Sequence, residues 1–90
     1  MFDLALVVPD AVTSAQVEDV VRTAVGGVLE RLELFDEFRG GDLPSGTRSL
    51  AWRLTLRDPQ RTFSQKEIEG RKQRLLRALE EALGVRQRST

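Results

Sequence analysis

The sequence holds no cysteine, no histidine and no asparagine among its 90 residues. Without cysteine there is no disulfide framework, and thiolate and imidazole metal sites are excluded together. Nucleophilic schemes built on Cys or on a Ser–His pair go with them. A carboxylate-only Mg²⁺ site stays formally open, but no clustered Asp/Glu pattern suggests one, so no metal site is expected. Long apolar runs are missing as well. The longest, Leu4 to Pro9, is far too short to span a bilayer. A basic start followed by a small-residue cleavage site is also lacking. A soluble, cytoplasmic chain with no membrane partner is the expectation.

Charge of one sign is not in excess either: 14 basic residues face 14 acidic ones. The balance is uneven along the chain. Residues 1–37 carry only Arg22 and Arg31 against eight carboxylates, and the remainder carries twelve basic residues against six acidic ones. Such a split is a weak pointer to a nucleic-acid face in the second half. The length allows one domain over residues 1–90, and a hydrophobic content of 40% suits a folded one.

The periodicities alternate between strand and helix. Phe2 to Val8 reads as a strand, with Leu4, Leu6 and Val8 on one face and Asp3, Ala5 and Val7 on the other. Thr13 and Gln16 form a capping box ahead of a helix whose stripe is Val17, Val20, Val21, Ala24 and Val25. Gly26-Gly27 is expected to end it, because running on to Leu32 would bury two glycines in a helix at about 1 kcal/mol each. Leu32 to Phe38 alternates as a strand, placing Leu34, Asp36 and Phe38 on one face and Glu33, Phe35 and Glu37 on the other. Arg39 to Arg48 is a glycine-containing loop, and Ser49 to Arg57 alternates again, so the two strands read as a long hairpin. Leu50, Trp52, Leu54 and Leu56 form its core face. Asp58-Pro59 makes a turn, where Arg61 is expected to brace the chain. Ser64 and Glu67 form a second capping box, with Phe63 and Ile68 as its staple. Ile68, Leu75, Leu76, Leu79, Ala82 and Leu83 make the second helical stripe, interrupted by Gly70 and closed by Gly84. Val85 to Arg88 is a short last strand.

The order βαββαβ implies an α+β, ferredoxin-like fold: a four-stranded antiparallel sheet with two helices on one face. The open face is expected to carry Leu34, Asp36, Phe38, Ser49, Ala51 and Arg53. This fold hosts many functions. The aromatic-rich signature of an RNA-recognition motif is missing. An acylphosphatase-like enzyme would want an asparagine, an ACT-like domain a glycine after the first strand, and a metallochaperone a Cys-x-x-Cys. None is present.

Three segments in order resemble one family. Leu34-Phe35-Asp36-Glu37-Phe38-Arg39-Gly40 is similar to its LFDxYxG strand. Leu43 to Leu54 resembles its IPEGKKSLAFRL, and Asp58 to Ser64 its DPERTLT. The family is the ferredoxin-fold anticodon-binding domain of the bacterial phenylalanyl-tRNA synthetase β subunit. Here the family tyrosine is Phe38, the Lys-Ser pair is Arg48-Ser49, the phenylalanine is Trp52, and Glu37 stands where an apolar residue is usual. The resemblance implies a domain cut from a longer subunit, or a free-standing relative of it.

The resemblance further implies a grip on the anticodon stem-loop of phenylalanine tRNA. Phe38 would stack a base, Asp36 would accept from a base amino group, Ser49 would donate or accept, and Ala51 would leave room for a flat base. Arg39, Arg48 and Arg53 would hold phosphates or add planar stacking. Two plainer readings stay open: Asp36 paired with Arg53 across the hairpin, and Ser49 as a loop terminator. Trp52 is expected in the core, and Arg71, Lys72, Arg74 and Arg77 on a solvated helix face. No cofactor is implied for this domain. ATP, Mg²⁺ and all catalysis would belong to the remaining β-subunit domains and the α subunit. The alternative, from another class, is a free-standing interaction domain that self-associates through the open sheet face.

Overall fold

Burial alternates along the first strand, β1 (Phe2–Pro9): Leu4, Leu6 and Val8 are buried, and Asp3, Ala5 and Val7 point the other way. That period of two marks a strand covered on one side only. A computed structural model describes residues 1–88. In it, β3 (Thr47–Leu56) lies antiparallel beside β1, in register from Phe2↔Leu54 to Pro9↔Thr47. β2 (Leu29–Phe38) pairs with the far edge of β3, and the short β4 (Arg86–Gln87) pairs with β1. The sheet order is β2-β3-β1-β4.

Two helices cover one face. α1 (Ser14–Val25) starts at Thr13, whose hydroxyl accepts from the Gln16 N–H while Gln16 Oε1 accepts from the Thr13 N–H. α2 (Gln65–Leu83) starts with the same reciprocal pair between Ser64 and Glu67. Each box satisfies helix donors that would otherwise lack partners. α1 stops at Gly26, whose φ of 75° is closed to most side chains, and its N–H donates to the Arg22 carbonyl. A short turn over Gly26–Val28 then delivers the chain into β2 at Leu29 rather than at the expected Leu32, because Leu29 already pairs with Leu56.

The core joins Leu4, Leu6, Val8, Leu50, Trp52 and Leu54 of the sheet to Val17, Val21 and Val25 of α1 and Leu75 and Leu79 of α2. Val85, just before β4, completes it. Ala24 and Ala82, expected on the helix stripes, are exposed at their margins. Trp52 is buried as expected, and its indole N–H has no hydrogen-bond partner among the described residues.

Gly70 lies in the interior of α2, exposed, and a Cβ built on it would meet nothing within 4 Å. Gly70→Ala is therefore expected to raise the unfolding free energy by about 1 kcal/mol, through backbone entropy alone. Urea denaturation would check it, and a lower midpoint would show that the glycine answers a constraint outside the helix.

The strand faces differ from the expectation at one place. Leu34 pairs with Trp52 and Asp36 with Ala51, so Phe35 is an extra, bulged residue. A bulge switches the sequence parity of the faces beyond it. Leu34 therefore sits on the helix side with Trp52, and not on the open face. Glu33 and Phe35 move the opposite way. Asp36 and Phe38 stay on the open face, and Glu37 stays on the helix side, exposed at its edge. No helix among the described residues is long and apolar enough to cross a membrane.

Candidate nucleic-acid interface

The open face is built in three rows set by strand register. Of the rows that span β1, β3 and β2, the one formed by Val7, Ser49 and Phe38 lies nearest the β2–β3 loop. Ala5, Ala51 and Asp36 form the second, and Asp3, Arg53 and Glu33 the third. The bulged Phe35 stands between the last two. Antiparallel neighbours directly opposite one another share a face and lie close enough to act together.

The first row carries an aromatic platform. Phe38 is 42% exposed. Two carbons of its ring lie near Gly41, 3.4 Å from where an added Cβ would sit. The Arg88 guanidinium lies over the ring, 5.2 Å from its centroid, and reaches Asp42 Oδ1 at 3.4 Å. The Arg88 backbone N–H donates to the Ala5 carbonyl at 2.7 Å, which fixes this residue to the sheet. Ser49 is nearly enclosed, at 4% exposure. The second row is shallow, because two of its three side chains are methyl groups. Asp36 is exposed and has no ion-pair partner among the described residues.

In the third row Arg53 donates to both carboxylate oxygens of Asp3, at 2.9 and 3.1 Å, rather than to Asp36. Its guanidinium also lies 4.8 Å from the Phe35 ring centroid, and Phe35 is 48% exposed. The hydrogen bonds from Arg53 hold the Asp3 carboxyl below the ordinary aspartate range, and the same contact raises Arg53. A depressed carboxylate contributes stability above its unfolded pKa and loses it as pH falls through the folded pKa. Asp3 is thus expected to titrate below an unpaired aspartate, and Arg53→Gln to move its midpoint up. A carboxyl-carbon NMR titration would check both, and an unchanged midpoint would show that the pair is not formed in solution.

Arg39 continues β2 past Phe38 and donates to Asp10 Oδ1 at 2.7 Å, with both side chains half-exposed. Arg48 departs from the expectation. It pairs with Val8, so its side chain points to the helix side, and it is 7% exposed. Its guanidinium donates to the carbonyls of Pro9, at 3.0 Å, and Val12, at 2.8 Å. Arg48 is therefore removed from the set of groups able to meet a phosphate across the open face. Asp36, Phe38, Ser49, Ala51 and Arg53 are brought together on that face, and Arg39, the residue after Phe38, is turned to Asp10 of the β1–α1 turn.

Phe35 and Arg88 join the surface without having been expected there. Strict alternation put Phe35 on the wrong side, and nothing near Arg88 in sequence points to a ring fifty residues away. Arg61 braces the turn as expected, bonded to Glu67 and 3.5 Å from Asp58.

A family model described as "Ferredoxin-fold anticodon binding domain" matches residues 2–88. The chain belongs to that family. Its members named among the similar proteins are phenylalanine–tRNA ligase β subunits. That of Moorella thermoacetica is 42% identical over 83 residues, covering 92% of this chain and 10% of the subunit. Those of Synechococcus sp. (strain JA-3-3Ab) and Trichormus variabilis are each 40% identical over 87 residues and 97% of this chain. The anticodon-binding domain in hand thus spans about a tenth of the length of the relatives it matches. The antiparallel sheet with two helices on one face agrees with the ferredoxin fold of the family name.

Proposed function

We propose that this domain binds the anticodon loop of phenylalanine tRNA on the open face of its sheet, as one part of a phenylalanine–tRNA ligase β subunit. The observation that carries the reading is the register that sets Phe38 beside Ser49 and Asp36 beside Ala51 on one uncovered surface. RNA is read where its bases are unstacked, by aromatic stacking and by hydrogen bonds to base edges. Phe38 supplies the stacking plane. Asp36, free of an arginine partner, accepts from a base amino group. Ala51 leaves the space in which a base lies flat. Ser49 adds a hydroxyl at the floor of the site. Arg39 and Arg53, with Arg88, meet phosphates or stack on bases, and Arg48 takes no part in direct contact.

The charges also bear on affinity. Arg39, Arg53 and Arg88 each already face a carboxylate, Asp10, Asp3 and Asp42 respectively. Phosphates approaching these arginines meet charges already partly neutralised by carboxylates, so few counterions are released. The isolated domain is therefore a weak binder that relies on further contacts from the remaining β-subunit domains and the α subunit. Phenylalanine activation with ATP and Mg²⁺, and aminoacyl transfer, belong to those parts, in the cytoplasm where tRNA is charged. Self-association through the sheet draws less support. Leu34 has left the face, and Phe35 and Phe38 are each overlaid by a guanidinium.

The test is an NMR titration with the phenylalanine-tRNA anticodon stem-loop at low salt. Amide shifts clustered at Asp36, Phe38, Ser49 and Arg53, and weakened by a changed anticodon, are expected. Absence of shifts at high RNA concentration would overturn the reading and bring self-association forward.

A further inference from the structure

The buried guanidinium of Arg48 joins three segments that are remote in sequence. Two of its nitrogens donate to the Pro9 and Val12 carbonyls of the β1–α1 turn, and Nε lies 4.0 Å from Glu37 of β2. The same turn is tied to the β2–β3 loop by the Asp10 N–H, which donates to the Gly46 carbonyl at 2.9 Å. Its Asp10 carboxylate in turn receives Arg39. The order of contacts is therefore Arg48, turn, Asp10, Arg39. The outer links are hydrogen bonds, the inner one is the backbone of the turn itself, and the first is made by a side chain shielded from water.

We propose that Arg48 is a positioning residue for the RNA face. From the opposite side of the sheet it fixes the β1–α1 turn, and the turn holds Arg39, the residue after Phe38, through Asp10. The proposal rests on the anticodon reading for its purpose, but not for its geometry. A planar fork that donates to two carbonyls at once defines the orientation of the turn in a way that one ammonium cannot. An exposed arginine such as Arg39 otherwise loses rotamer entropy on meeting a phosphate, and a carboxylate that already limits its excursions lowers that loss.

Two arms test this, one of them without RNA. In the first, hydrogen exchange at the Asp10 amide is compared between Arg48→Met, Arg48→Lys and the core variant Val21→Ala, which lowers stability without touching the turn. Exchange about tenfold faster in R48M than in V21A at equal global stability is expected, with R48K between them. Equal rates in R48M and V21A would overturn the proposal. In the second arm, stem-loop affinity is measured for wild type, R39A, R48M and the double variant, all under conditions where each is folded. R39A is expected to weaken binding about fivefold in the wild-type background and less than about twofold in R48M, because the positioned contact is already lost. An equal factor in both backgrounds would overturn it, since a purely structural Arg48 leaves the effect of Arg39 unchanged. Should wild type itself fail to bind the stem-loop, the anticodon reading falls, and the exchange arm still decides whether Arg48 orders the turn.

Discussion

Arg48→Met is expected to lower the unfolding free energy by about 2–4 kcal/mol, one of the larger single losses open to this fold. The reasoning starts from burial. An arginine is rarely enclosed unless its donors are used. Here Arg48 donates to the Pro9 and Val12 carbonyls, on a strand whose neighbours Ser49 and Leu50 are also buried. Methionine replaces the aliphatic stem but none of the donors. The Val12 carbonyl then loses its donor, at about 1–3 kcal/mol for a group left unsatisfied in a buried setting, while the Pro9 carbonyl loses one of two donors and keeps the Val12 N–H at 2.9 Å. Glu37 adds little, because its side chain is 51% exposed and its oxygen is 4.0 Å away. A chain of this size has only about 5–13 kcal/mol to lose, so the variant should fold but melt early. Urea denaturation measures the effect, with the slope unchanged if the fold is kept. Arg48→Lys retains a charge and a single donor group and should lose less. A methionine variant as stable as wild type would mean that the two carbonyls find water at no cost, and that the turn is open in solution.

Phe38→Ala is expected to weaken binding of the anticodon stem-loop by about 1–3 kcal/mol, roughly five- to 150-fold. The ring already has a neighbour of the kind stacking uses: a guanidinium lies over it, which a base can replace or join. Alanine removes the platform and leaves the charges. Phe38→Tyr keeps the plane and should bind about as well as wild type, whereas Phe38→Leu keeps apolar area without the plane and should resemble alanine. Stability should change little in any of the three, because the ring lies at the edge of the sheet and outside the core cluster. Affinities are compared at one fixed salt concentration, since the phosphate contribution varies steeply with it. An alanine variant that binds like wild type would remove stacking from the account and leave Asp36 and the arginines to carry recognition.

The two cases differ in how visible they were beforehand. Phe38 was placed on the open face by alternation and by its family motif, and the register with Ser49 keeps it there. Arg48 looked like its neighbours in a basic, loop-flanking stretch and was expected to face RNA. Its burial depends on carbonyls contributed by residues 36 and 39 positions away. No local pattern reports such a partner.

Local chemistry in the sequence determined most of the scaffold. The Thr13–Gln16 and Ser64–Glu67 boxes, the stop at Gly26 and the alternation of β1 and β3 each depend on residues within a few positions of one another. Such interactions act over one turn or one strand, so they are written where they act. The bulge at Phe35, the choice of Asp3 over Asp36 as the partner of Arg53, the reach of Arg88 to Phe38 and the burial of Arg48 were decided only by the tertiary structure. Each depends on which strand lies beside which and in what register. A single extra residue in β2 changes which side chains share a face, and that extra residue is defined only against β3.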